Sequence, residues 1–213
     1  ALGGVDALPE AATEEEVYAG LAMDWVPPEL REDRGEVAAA RERRLPRLIE
    51  LGDLRGDLHL HTTWSDGRHS LPEVVDLFGR SGHDVIAITD HVVNADSLLG
   101  RAAHGLRLSV TRDGWPAYRA EIERERRRAW DTYRMLVLPG AELTRNGLTG
   151  RSSAHALALG LDDFVSADGP VEEALARARD AGAVTVACHP NEQSEWFANT
   201  FYLWNRKDGM KEL

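Results

Sequence analysis

The sequence predicts an α/β fold, and three observations carry that expectation. Short apolar runs rich in β-branched residues, DVIAIT and AVTVAC, read as buried strands. Segments with helical capping or helical polar patterning lie between such runs. The order is strand, helix, strand, helix, the pattern of a layered α/β domain with about four or five strands.

The elements follow in chain order. ATEEEVYAGLA offers Thr13 as an N-cap with Glu16 three residues on, and so a short helix. Pro27-Pro28 then breaks the chain. A longer helical pattern runs from Glu36 to Leu51, and Pro46 inside it should kink or divide it. From Gly56, GDLHLH alternates as a strand does. Ser70 and Glu73 form a capping box, with Pro72 early in a helix that reaches Arg80. DVIAIT is the next strand and ends on Asp90-His91. The stretch between Asn94 and Gly114 has no legible period. A polar helix covers Trp115 to Asp131, MLVLPG and HALALG read as strands, and DGPVEEALARARDAG is a helix with Asp168 near its start. AVTVAC closes at His189-Pro190, and an amphipathic segment runs from Ser194 to Leu213. Residues 1–55 read as a helical arm or the remnant of a neighbouring domain, and residues 56–213 as the α/β domain.

Composition narrows the function. With 213 residues, 43% hydrophobic and 29% charged, the chain has an ordinary globular balance. A net charge of -11 argues against broad, non-specific nucleic-acid affinity and suits a site that binds cations. The single cysteine, Cys188, excludes an internal disulfide framework and reads as a buried thiol in an apolar run. No run of 18 apolar residues and no basic-then-apolar leader is present, so no membrane partner and a reducing cytoplasm are expected.

Chemistry concentrates at strand ends. His59 and His61 are two apart on a strand and face the same side. Metal coordination and ordinary structural hydrogen bonding both account for that pair alone. Asp66 follows in the next loop, Asp90-His91 closes DVIAIT, Glu142 follows MLVLPGA, His155 opens HALALG and His189 closes AVTVAC. Five of the eight histidines fall in this set. Sites in α/β folds lie at the carboxyl ends of strands. A mixed imidazole and carboxylate set suits zinc, manganese or iron better than calcium. Asp66 and Glu142 allow more than one metal, because a carboxylate can bridge two cations. Arg145 and Arg151 flank the loop LTRNGLTGRSS, where they would hold a substrate phosphate or simply be solvated. His69, His83 and His104 read as non-ligands and ERERRR as a solvated helix face, while Trp64 either packs on the core as a loop tryptophan or walls the pocket or stacks on a base.

These motifs resemble a known family. DLHLHTTWSDG, AITDH, PGAE, the isolated His155 and ACHP are similar, in order, to the successive motifs of the PHP (polymerase and histidinol phosphatase) family, from Asp57 to about Pro190. The resemblance implies a distorted (β/α)7 barrel, here incomplete at its C-terminal end. It implies up to three divalent transition metals (Zn, Mn or Fe) and phosphoester hydrolysis through metal-activated hydroxide. Carried over by motif, His59 and His61 would bind a first metal with Glu142 as a bridge. Glu142, His155 and His189 would bind a second, and Asp66 and His91 a third. Asp90 would orient a ligand. The residues up to about 90 look like the junction in bacterial family X DNA polymerases, which would make residues 1–55 the tail of a polymerase. The later segments look more like stand-alone PHP phosphoesterases.

One departure bears on activity. No Asp and His pair of the family's late motif follows His189, so only the second metal has its full protein set. Two functions follow. One is a phosphoesterase acting on a phosphomonoester, a nucleotide or a DNA 3′ end. The other is a truncated or degenerate PHP domain that binds metal but serves as a non-catalytic DNA-repair module or scaffold. A partner protein or a further C-terminal segment would then supply the missing ligands.

Overall fold

In the computed structural model, residues 11–145 and 154–189 are described. The chain divides into two compact units between Asp53 and Leu54.

In the second unit the sheet is organised by β4 (Leu136–Arg145), a ten-residue strand. Its first half pairs in parallel with β2 (Val85–Ile88), and its second half pairs in parallel with β3 (His91–Val93). DVIAIT-DHVV is therefore two strands interrupted at Thr89-Asp90, where the sequence reads as one strand closed by Asp90-His91. β1 (Gly56–Leu60) pairs in parallel with β2, with an irregular register between Asp57 and Leu60. On the other side of β4 lie β5 (Ala154–Leu159) and β6 (Val184–Ala187), giving the order β1-β2-β4-β5-β6 with β3 attached to β4.

The β4–β5 and β5–β6 pairings are antiparallel, a correction to the regular α/β alternation. Only residues 146–153 separate β4 from β5 in sequence, too few for the dozen or more that a parallel crossover needs. The described strands form an open path of five, with β3 attached to β4, rather than a seven-membered ring. The mixed α/β character implied by the family resemblance is present; the ring itself is not seen.

Helices cover the sheet. α3 (Leu71–Arg80) starts on the predicted capping box, with Ser70 and Glu73 satisfying each other's backbone N–H groups. α4 (Leu98–Gly105) occupies the stretch whose period was illegible, with the Ser97 side chain accepting from the Gly100 N–H. α5 (Trp115–Tyr133) and α6 (Val171–Asp180) lie where the sequence placed them. The core packs Leu71, Val74 and Val75 of α3 and Tyr118, Ile122 and Ala129 of α5 against Ile86, Ile88, Val137 and Ala141 of the sheet. Burial of such side chains contributes roughly 1.5–3 kcal/mol each. The run ERERRR is an ion-paired face: Arg127 meets Glu123, and Arg128 bridges Glu125 and Asp76.

In the first unit, α1 (Glu14–Gly20) is capped by Thr13, whose hydroxyl accepts from the Glu16 N–H. Glu14 accepts from Trp25 Nε1 at 3.0 Å and Arg31 Nη2 at 2.8 Å, and the Arg31 guanidinium lies over the Tyr18 and Trp25 rings. α2 is only Glu36–Arg41, not the helix to Leu51 that the pattern predicts. Arg43 turns the backbone to φ +55°, and Pro46 cannot donate to continue the ladder. A 3-10 turn follows at Leu51–Asp53.

Candidate metal centre

The β2–β3 interruption brings the strand ends together. Thr89 caps β1: its N–H donates to Leu60 O, and its hydroxyl pairs with both the N–H and the carbonyl of Leu60. Asp90 is fully buried and accepts three hydrogen bonds, from Thr62 N–H at 2.7 Å, Thr62 Oγ1 at 2.8 Å and Ser65 Oγ at 2.7 Å. It thereby fixes the loop that carries His61 at its start and Asp66 at its end. Tyr118 stands behind it, with its hydroxyl 3.3 Å from the Asp90 N–H.

Glu142 occupies the centre, on β4, with no exposed surface. Five imidazoles converge on its carboxylate. His59 Nε2, His61 Nε2 and His91 Nδ1 lie 3.1, 3.0 and 3.3 Å from Oε2. His155 Nδ1 and His189 Nε2 lie 2.7 and 3.4 Å from Oε1. Burial alone would raise the Glu142 pKa. Hydrogen bonds from His155, His189, His59 and His61 overcome it and hold the carboxyl well below the usual carboxylate range. For His61, burial pulls the pKa down, but the Glu142 carboxylate outweighs it and the net shift is upward.

A second carboxylate borders the nest. Asp66 Oδ1 is 3.3 Å from His61 Nδ1, and Oδ2 is 3.6 Å from His91 Nε2. The neighbouring His91 imidazole is the main cause that lowers the Asp66 pKa to about 2. His61, Asp66 and His91 offer three ligand atoms within 4.8 Å of one another, and so do His91, Glu142 and His155. All seven residues expected to be ligands therefore meet in one place. Imidazoles and carboxylates in this mixture are the donor chemistry of a divalent transition metal.

Two contributors escaped the sequence reading. Thr144 Oγ1 lies 2.6 Å from His91 Nδ1 and donates to the Glu142 carbonyl, and it holds the imidazole with Nε2 toward Asp66. Its signal was its place two residues after Glu142, on the same strand face. Cys188 is buried as expected, but its sulfur lies within 4.8 Å of ligand atoms of His59 and Glu142. Burial, and then the Glu142 charge, push its thiol pKa up.

Other expected residues lie apart from this cluster. Arg145 Nη1 is held by Asp96, at 3.0 Å, and by the Gly169 carbonyl at 2.6 Å, which makes it a tie between two loops. Arg151 falls outside the described residues. His104 pairs with the Val93 carbonyl, and His83 stands edge-on to Phe78, as their non-ligand reading expects. Trp64 packs against Tyr118 and donates to Glu121.

A histidine and carboxylate cluster at the carboxyl ends of β1 and β2 and on the strands beside them defines a candidate metal-binding α/β protein. Over 79 residues, 37% of its length, the chain is 43% identical to the DNA polymerase/3′-5′ exonuclease PolX of Bacillus subtilis, and the match spans 14% of that protein. This similarity agrees with the resemblance to bacterial family X DNA polymerases drawn from the motifs, over a small part of that protein's length. No family model matches it. Two solved structures align less closely. One is a two-domain Bacteroides vulgatus protein containing a predicted PHP-like metal-dependent phosphoesterase. It has 23% identity and a TM-score of 0.44, over 71% of this chain and 41% of that one. The other is a metal-dependent phosphoesterase candidate of Bifidobacterium adolescentis. It has 22% identity and a TM-score of 0.32, over 52% of this chain and 29% of that one.

Proposed function

We propose that the chain is a metal-dependent phosphoesterase. The observation that carries this reading is Glu142, a fully buried carboxylate ringed by five imidazoles. Stability alone is a poor reason for so many ionisable groups in one buried site, since each costs desolvation. In this proposal Glu142, with His59 and His61 on one side and His155 and His189 on the other, would hold two cations. His61, Asp66 and His91 offer donors for a third. A bound divalent metal lowers the pKa of water and offsets charge on phosphoryl oxygens.

The chain's own residues supply the rest. Asp90 holds the Thr62–Ser65 loop, and so the angle at which His61 and Asp66 face the nest. Thr144 fixes the His91 ring. Arg151 is the candidate to clamp the substrate phosphate, because Arg145 is engaged with Asp96 and Gly169. The substrate class is a phosphomonoester, a nucleotide or a DNA 3′ end, and the partial likeness to a polymerase/3′-5′ exonuclease favours the DNA end for the first assay. The reducing thiol state expected for Cys188 suits a cytoplasmic setting.

The test is hydrolysis of an aryl phosphate and of single-stranded DNA, with zinc or manganese added, by the wild-type chain and by Glu142→Gln. Turnover in the wild type and none in the variant is the expected result. Metal bound in the wild type with no turnover on either substrate would overturn the enzyme and leave a non-catalytic metal-binding domain.

A further inference from the structure

We infer that Cys188 is itself a metal ligand, and that its sulfur, with a nitrogen of His59 and an oxygen of Glu142, makes the centre prefer zinc over manganese. The inference rests on the metal centre proposed above. The three ligand atoms lie within 4.8 Å of one another. A tetrahedral zinc site with Zn–S of about 2.3 Å and Zn–N or Zn–O of about 2.0–2.1 Å spaces its donors roughly 3.3–3.6 Å apart, so only small side-chain shifts are required.

The backbone is arranged to deliver this sulfur. Neighbours on a strand point to opposite faces, so Cys188 and His189, directly after β6, should not both reach one site. His189 has φ +26°, a conformation rare outside glycine, and the alternation breaks there. His189 Nε2 then reaches Glu142 Oε1 while Cys188 stays beside Glu142 and His59. The Cys188 N–H donates to the His155 carbonyl at 3.2 Å, which ties the residue to the strand carrying another imidazole of the nest. A cysteine serving only to fill space would face apolar side chains; this one faces a carboxylate.

Ligation is a proton exchange. The S–H bond breaks, the metal–sulfur bond forms on the sulfur electron pair, and the proton leaves to water with no change of oxidation state. A thiolate is a soft donor that favours zinc, whereas manganese prefers oxygen donors.

Cobalt(II) loading of the full wild-type chain provides the test, because the chain holds one cysteine and a sulfur-to-cobalt charge-transfer band has one source. That band is expected in the near ultraviolet, and it should vanish in Cys188→Ser. The same variant should lose at least about 100-fold in zinc affinity, more than the roughly 10–100-fold typical of an outer partner, with manganese affinity little changed. Cobalt bound by the wild type without the band would overturn the sulfur ligand while leaving the imidazole centre standing. No cobalt bound at all would overturn both. The wild-type spectrum decides the matter even if the variant fails to fold.

Discussion

His155 stands opposite Thr144 in the β4–β5 ladder, yet its Nδ1 reaches diagonally to Glu142 Oε1 at 2.7 Å. Diagonal neighbours across an antiparallel pair are close enough for long side chains to meet. The antiparallel turn-back that departs from α/β alternation is thus what brings His155 to the carboxylate. His155→Ala should leave Glu142 with four imidazole partners and lower the metal content of the purified chain. Elemental analysis of wild type, His155→Ala and Glu142→Ala checks this, and unchanged metal content in both variants would refute the ligand assignment.

Asp90 is predicted to act through the loop it holds. Asp90→Ala removes the acceptor of three hydrogen bonds and leaves buried donors on Thr62 and Ser65. The loss should be about 3 kcal/mol or more, since bonds to a charged group contribute roughly 1.5–3 kcal/mol each and act here as a unit. Asp90→Asn keeps one carbonyl acceptor and should lose less. Urea unfolding of the metal-free protein measures both.

Thr144→Val tests the partner that orients His91. The volume is nearly kept, and the 2.6 Å contact to His91 Nδ1 is lost. Metal affinity should fall about 10–100-fold, as for other outer partners of a ligand. Titration with a chromophoric chelator reads the change, and far-ultraviolet dichroism should stay as in wild type.

Gly67 closes the loop that ends in Asp66. A Cβ placed there would lie 2.4 Å from the His61 carbonyl oxygen, a backbone atom that cannot swing aside. Gly67→Ala should cost about 1–3 kcal/mol and displace Asp66 from His61 and His91. Gly52→Ala is the control, with nothing within 4 Å of its Cβ, and should stay within about 0.5 kcal/mol of wild type.

Asp96 gives a pH signature away from the nest. Burial would raise its pKa, but hydrogen bonds from Asn94 and the Gly169 N–H, together with Arg145, hold it at about 2, below its ordinary 3.8. A carboxyl with a lowered folded pKa contributes its full stability above 3.8 and loses it as the pH falls toward 2. Asp96→Asn should therefore be less stable than wild type near neutrality, by about 1 kcal/mol after solvent screening, and the gap should close below pH 3.8. Denaturant midpoints across that range test the sign.

The site was legible because strand geometry and residue type agree. His59 and His61 are two apart, and Asp90-His91, Glu142 and His189 each follow an apolar run, so a period of two and the carboxyl-end rule found them without coordinates. Strand direction was less legible. HALALG looks the same whether it pairs parallel or antiparallel, and only the short spacing to β4 distinguishes the two. α2 stops early because Arg43 leaves the helical region, which helix propensity did not signal. Arg145 read as a phosphate clamp or a solvated loop arginine, and its engagement by Asp96, 49 residues away, leaves no local signal in the sequence. Cys188 was read from its apolar neighbours, and the turn at His189 that gives it polar company has no signature in the residue names.

β4 serves two neighbours on one edge, β2 along its first half and β3 along its second, and β5 along the other edge. A slip of one residue in any of these pairings would turn Glu142 and Thr144 to the opposite face and send Leu143 into the ring of imidazoles. A chain mispaired in this way would have five histidines around an isobutyl group, with no central carboxylate to hold them and only Asp66 at the border. Sheet registration thus has a built-in proofreader: the mispaired sheet forfeits the buried anion on which five side chains, from four separate parts of the chain, depend.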